Sequence, residues 1–427
     1  MTRRVLVVLH RYAGLVLAVF MVIVGLTGSL LAFRVEIERL VAPQLFATAR
    51  TGVPLDAATL IERTQSIDPR VQVSGVELKD AGRAQLMFAP KVDPATGTRY
   101  TLDFTQIFVD PYTGAELGRR RYGDLSQGLV NVMPFVRLLH GELVLPRRQG
   151  GPILGWIAVL WTLDCFVALY LTFPRWHVSS AATVGPGWFA RWVPAWLVAW
   201  QRSAFRLNFD LHRASGLWTW LFLLMFAWSS VYLNLHWVYA PVTGAVLTYP
   251  LNDNNMSGGT PRLAQPVTNP ALNYHQAQAR AAAEVSKAGL RLVRVESLSY
   301  SPGSGLYTYR VATNKDFQDV GGRTYVMVNG NTGALARLRL PSGQYSGLTF
   351  TNWIYALHMA NVFGLPFRVA VFVVGLLMTV LSVTGVYIWW KKRGFRSRIA
   401  RQGAARRTGA LAIILCALAA APGASRK

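Results

Sequence analysis

The side chains best suited to chemistry in this sequence are histidines, and four of its seven recur in matching contexts. Leu9-His10-Arg11-Tyr12-Ala13-Gly14 and Leu211-His212-Arg213-Ala214-Ser215-Gly216 both read L-H-R-x-x-G. Each leads into more than twenty uncharged residues. Leu139-His140 and Leu357-His358 recur at nearly equal offsets further on. A histidine at the mouth of a membrane helix, with glycine one turn on, is what a porphyrin needs. The imidazole ligates iron, and the missing side chain leaves room for the flat ring. A single histidine at a helix end is more often an interfacial residue making one hydrogen bond. Four in register favour ligation.

The elements that must position them follow from composition. The chain has 427 residues, 52% hydrophobic and 15% charged, with 44 Lys+Arg against 20 Asp+Glu. A net charge of +24 suggests nucleic acid or a membrane surface, and the long uncharged runs decide for the membrane and against nucleic acid. Windows 13–33, 152–173, 214–235 and 369–390 each reach about the twenty residues needed to cross roughly 30 Å of hydrocarbon as helix. The first is long, and no convincing small-residue cleavage site follows it, so it reads as a retained helix. Segments 1–12, 174–213 and 391–427 carry eighteen basic residues and one acid, whereas 34–151 and 236–368 mix the two. The positive-inside rule then makes both termini and the middle segment cytoplasmic. The mixed segments lie outside, which in a bacterium means the periplasm. The cysteines, Cys165 and Cys416, support neither a disulfide framework nor covalent haem attachment.

The expected fold is an α-helical membrane protein with four transmembrane helices in two parallel repeats, plus two periplasmic α+β domains. The division runs 1–34 (first helix), 35–126 (first outer domain), 127–173 (amphipathic piece and second helix), 174–211 (Trp-rich interfacial loop), 212–238 (third helix), 239–345 (second outer domain), 346–393 (a short helix and the fourth span) and 394–427 (basic tail). Within the first outer domain, 56–66 suits a helix, and 71–78, 85–88, 100–103, 106–109 and 116–121 suit strands. The linker 141–151, with Pro146 and Gly150-Gly151, separates the piece ending at His140 from the second span. In the second outer domain a loop is expected at 251–270, a helix near 275–288 and strands near 291–300, 306–313 and 323–328. The turns Asp110-Pro111-Tyr112-Thr113-Gly114 and Asn329-Gly330-Asn331-Thr332-Gly333 match, so the chain reads as an internal duplication.

Two histidines per membrane face is the arrangement for two bis-histidine b-type haems, His10 with His212 and His140 with His358. Arg11 and Arg213 are placed to meet haem propionates, and Gly14 and Gly216 to admit the ring. His236 is an alternative outer ligand and His177 an inner one, while His275 reads as exposed. Asp164 is the only acid within a span. A hydrogen bond to a neighbouring helix and a proton or quinone role both stay open for it. Gly25, Gly28 and Gly155 read as helix-packing positions.

The L-H-R-Y-A-G-L stretch, the V-D-P-Y-T-G and V-N-G-N-T-G turns and the L-H pairs before the second and fourth spans resemble the PepSY-associated transmembrane family over roughly residues 4–395. That family includes iron-regulated inner-membrane proteins and siderophore reductases. The resemblance implies two haem b groups on His10, His140, His212 and His358, and reduction of a ferric siderophore or similar chelate in the periplasm. The expected enzyme is thus an oxidoreductase of the bacterial inner membrane, fed by quinol or a cytoplasmic reductase. The alternatives are a non-enzymatic membrane anchor that binds a periplasmic partner, and an electron-transfer subunit for a separate reductase. Beyond the ferric chelate and the donor, the expected partner is membrane lipid.

Overall fold

The computed structural model describes residues 2–47, 52–80, 82–175, 186–250 and 262–419, with backbone alone at 79–80 and 395–419. The elements are α1 (Arg3–Leu31), α2 (Arg34–Val41), α3 (Ala57–Thr64), β1 (Val71–Asp80), β2 (Arg83–Pro90), β3 (Gln106–Val109), β4 (Glu116–Arg120), α4 (Val132–Glu142), α5 (Arg147–Thr172), α6 (Trp188–Trp192), α7 (Ala204–Asn234), α8 (His236–Gly244), α9 (Tyr274–Lys287), β5 (Leu292–Ser301), β6 (Leu306–Thr313), β7 (Thr324–Asn329), β8 (Leu335–Arg339), α10 (Ser346–His358) and α11 (Gly364–Ala419). Among the described residues four helical stretches are long and apolar enough to cross a membrane: α1, α5, α7 and Gly364–Gly394 of α11. Two compact units divide the chain. Met1–Val22, Leu163–Leu221 and Leu377–Lys427 form the terminal unit; Ile23–Thr162 and Phe222–Leu376 form the sheet unit.

The sheet unit departs from two separate soluble domains. Each mixed segment supplies a helix and four antiparallel strands, but the strands join in one eight-stranded sheet ordered β4-β3-β2-β1-β5-β6-β7-β8. The seam is antiparallel, with Gly75 opposite Ser299, Val76 opposite Leu298 and Glu77 opposite Ser297. Left apart, β1 and β5 would each expose a row of unpaired backbone groups; pairing them removes both edges. Gly75 permits the approach, since a β-carbon there would stand 2.6 Å from the β-carbon of Ser299. Arg310 reaches across β5 to Glu77 at 2.8 Å. One core serves both halves: Leu60 and Ile61 of α3 and Ala277, Ala281 and Val285 of α9 are buried together with Val76 and Leu298. The apolar positions of α9 fall four apart, which keeps one helix face on the sheet. Asp56 caps α3 through Ala58 and Thr59, and Asn273 forms a capping box with Gln276 at the start of α9.

Several element boundaries shift from the sequence reading. Residues 100–103 form no strand; the nearby pairing is an isolated bridge between Val92 and Arg99. Strand β8 was not expected. Helix α5 begins inside the supposed linker, at Arg147, and takes in Gly150 and Gly151. A β-carbon at Gly150 would collide with the backbone of Glu142, so glycine lets the start of α5 close against the end of α4. Leu143 and Val144 turn that corner at φ 56 and 58. The third span ends at Asn234, and His236 opens α8 after a break at Leu235. The tail is helical to Ala419 as a continuation of α11. Much of the Trp-rich segment is a short aromatic cluster in the terminal unit. Phe173, Trp192, Trp196 and Trp218 meet ring to ring at 5.2–5.3 Å. Trp176, His177 and most of the loop expected at 251–270 lie outside the described residues.

Candidate functional site

The four recurring histidines come together in two pairs. In the terminal unit the rings of His10 (α1) and His212 (α7) have centroids 6.2 Å apart and planes inclined at 55°. In the sheet unit His140 (α4) and His358 (α10) have centroids 6.4 Å apart, inclined at 72°. A metal–imidazole nitrogen bond is about 2.0–2.1 Å long, and the nitrogen lies roughly 1.1 Å from its ring centre, so two imidazoles trans on one metal have centroids about 6.3 Å apart. Both pairs stand at that spacing. Among the described residues no group of three or more His, Cys, Asp or Glu side chains is arranged to hold a metal. Each pair offers two nitrogens, the number an iron needs when a porphyrin supplies the other four.

The tautomers are set by the partners. His10 Nδ1 lies 3.0 Å from both oxygens of Asp164, and a carboxylate only accepts. His212 Nδ1 lies 2.9 Å from the carbonyl oxygen of Leu381, which also only accepts. Thr27 Oγ1 donates to the Ile23 carbonyl at 2.6 Å and therefore accepts from His140 Nδ1 at 3.0 Å. Ser229 Oγ donates to the carbonyls of Met225 or Phe226 at 2.7 and 3.1 Å and accepts from His358 Nδ1 at 2.6 Å. Each ring thus carries its proton on Nδ1 and presents the Nε2 lone pair, the form a metal ligand takes when a neighbouring acceptor holds the other nitrogen. The hydroxyls and carbonyl were invisible as signals in the sequence. Asp164 was visible, and the structure assigns it the hydrogen bond to a neighbouring helix.

The glycines that touch the histidines are not those of the L-H-R-x-x-G motifs. A β-carbon at Gly28 would stand 3.1 Å from His140 Cε1, and one at Gly385 would stand 3.0 Å from His212 Cε1. At Gly14 it would meet nothing within 4 Å, and at Gly216 only Leu381 Cδ1 at 3.5 Å. Gly25 and Gly155 do serve close packing: Gly375 approaches the Gly25 carbonyl, and Gly155 faces Leu235 and Asn234. Arg213 spends donors on the Pro194 carbonyl at 2.6 Å and Asp210 at 3.0 Å. Arg11 lines a recess with Arg3, Arg4, Arg175, Tyr170 and Trp188. His236 packs between Tyr232 and Tyr239, with ring centroids 6.1 and 6.3 Å away. The half-exposed His275 bridges α9 to Glu62 of α3 at 3.0 Å.

A family model, the PepSY-associated TM region, matches residues 7–392 and so takes in all four histidines, the four spans and the sheet. The chain belongs to this family. It is a membrane protein whose apolar helices accompany an antiparallel sheet. No curated protein matches it.

Proposed function

We propose that this chain is a membrane electron-transfer protein that binds two b-type haems, one on His10 and His212 and one on His140 and His358, and reduces a ferric chelate of the siderophore class. The observation that carries the reading is the pair geometry. Four imidazoles fixed in the Nδ1–H form, in two pairs at bis-imidazole spacing, fit a six-coordinate iron porphyrin. Bound haem supplies one-electron exchange without a change of ligands. The protein's residues hold each imidazole's orientation, keep Nε2 deprotonated and seat the rings against Gly28 and Gly385. The acceptor's Fe(III) takes one electron and becomes Fe(II), which hard oxygen donors hold weakly, so reduction releases the metal. The electron comes from a quinol or a cytoplasmic reductase.

The eighteen basic residues against one acid in the three flanking segments support cytoplasmic termini in an inner membrane, with the sheet in the periplasm. The two matching turns support a duplicated architecture. Asp110 and Asn329 each accept from the amides two and three residues on, and Gly114 and Gly333 stand at φ 79 and 70. The experiment is a visible spectrum with haem quantitation on the purified full chain. Two low-spin haems per chain, reoxidised by a ferric hydroxamate while a ferrous chelator captures Fe(II), is the expected result. Absence of a Soret band, or reduced protein inert to every ferric chelate, overturns the reading.

A further inference from the structure

Arg137 stands one turn before His140, and Arg323 stacks on a tyrosine one turn before His358; neither arginine has a carboxylate partner among the described residues. Arg137 lies one turn before His140 on α4 and is exposed. Its charge acts on both His140 and His358. Arg323, just before β7, is half-buried. Its guanidinium stacks 4.2 Å over the ring of Tyr355, which lies one turn before His358 on α10. It also hydrogen-bonds the Tyr232 hydroxyl, one turn beyond Ser229 on α7. The Tyr232 and Tyr355 rings have centroids 6.5 Å apart, so Arg323 caps a tyrosine pair standing next to the histidine. Arg339 of β8 adds positive charge felt at Tyr232. Arg323 is held from behind. Its backbone N–H donates to Asp316, whose carboxylate also accepts from Thr313 and Thr324. A guanidinium fixed in place, facing aromatic groups and lacking an anion, is poised to bind a carboxylate in bidentate fashion.

A b-type haem carries two propionates that extend past the ring edge, further than either axial imidazole. We propose that Arg137 and Arg323 each hold one carboxylate of the tetrapyrrole ligated by His140 and His358. The inference rests on the haem reading above and adds to it the residues that fix the ring's rotation about its axis. It also accounts for two guanidinium groups that have no carboxylate partner among the described residues.

The test uses the full-length protein in detergent, with His10→Ala and His212→Ala present so that only this pair can load. Apoprotein is titrated with haem and with haem dimethyl ester, which lacks the two anionic carboxylates. Arg137→Gln and Arg323→Gln should each weaken haem binding at least about tenfold, the scale of a charged hydrogen bond. Both should leave dimethyl-ester binding unchanged, and Arg323→Lys should recover part of the loss. Ester binding also reports folding, because a collapsed variant loses both ligands. Equal loss of haem and ester, or no loss of either, overturns the propionate assignment while the haem reading stands. Weakened reduction of anionic chelates at unchanged haem affinity also overturns it and moves the arginines to the acceptor. Wild-type protein that binds no haem ends both.

Discussion

Replacing Asp164 with asparagine isolates the charged group that, among the described residues, hydrogen-bonds a histidine of either pair. Both carboxylate oxygens lie 3.0 Å from His10 Nδ1, and the side chain is nearly buried at 11% exposure. Asparagine keeps an acceptor oxygen and the volume, so His10 keeps its tautomer and position. What goes is the negative charge that makes the imidazole a stronger electron donor. Loss of an outer partner of this kind costs about 10–100-fold in metal affinity, or about 1.4–2.8 kcal/mol. The charge favours ferric over ferrous iron. If a tenfold loss falls wholly on the oxidised form, a one-electron potential rises by about 59 mV. Redox titration of purified Asp164→Asn should therefore show one haem shifted upward by roughly this amount per tenfold, the other unmoved, and both still low-spin. Refutation is equally plain: two unshifted potentials, or both shifted together, would mean that Asp164 does not act through the His10 site.

Four further outcomes are expected. Single changes His10→Ala, His212→Ala, His140→Ala and His358→Ala should each convert one low-spin haem signal to high-spin or remove it, read by absorption and electron paramagnetic resonance. Gly28→Val and Gly385→Val should perturb the His140 and His212 sites respectively, while Gly14→Ala leaves the spectrum unchanged, since only the first two positions abut an imidazole. The hydrogen-bonded Arg70 guanidinium, against the opposing effect of burial, holds the Asp68 carboxyl well below the usual carboxylate range, and Arg119 adds to it. A depressed folded pKa stabilises the sheet above the unfolded value of about 4 and stops doing so as pH falls through the folded value, so amide exchange in β1–β4 should accelerate only in strong acid, an acceleration that Asp68→Asn removes. Alkaline phosphatase fused after Asn252 should be active and after Arg393 inactive; the reverse overturns the topology.

What the sequence made legible was whatever repeats or exceeds a threshold. The four histidines repeat, the spans exceed a length, and Asp110 and Asn329 sit in recognisable turns. Register singled out the four histidines, the pairing of His10 with His212 and of His140 with His358 followed from the membrane face each pair was expected to share, and the structure places those residues together. The rest depends on contacts between distant segments. Thr27 and Ser229 look like any hydroxyl in an apolar helix; only the approach of α4 and α10 makes them acceptors. Gly385 carries no motif, and Gly28 was read as a packing glycine, because neither has its imidazole nearby in the chain. Arg213 drew attention beside His212, yet Asp210, one turn back, holds it. The β1–β5 seam was hidden because each segment reads as a self-contained run of strands, and an edge reveals its partner only in three dimensions.

The two pairs differ in one respect that bears on direction. His10 and His212 hand their Nδ1 protons to a carboxylate and a backbone carbonyl; His140 and His358 hand theirs to two hydroxyls. A carboxylate is the strongest acceptor of the four and raises the basicity of its imidazole most. More basic axial ligands favour ferric iron and lower the potential. Under the proposed function the His10–His212 site is then the stronger reductant and the His140–His358 site the stronger oxidant. The cationic surroundings of the second pair, Arg137 and Arg323, push the same way, because positive charge favours the ferrous form, whose net charge is one unit lower. An electron entering at His10–His212 therefore runs downhill to the pair beside the sheet. The difference originates in Asp164 of the first half, which the second half does not repeat, so under the proposed duplication the direction comes from a residue present in one copy only.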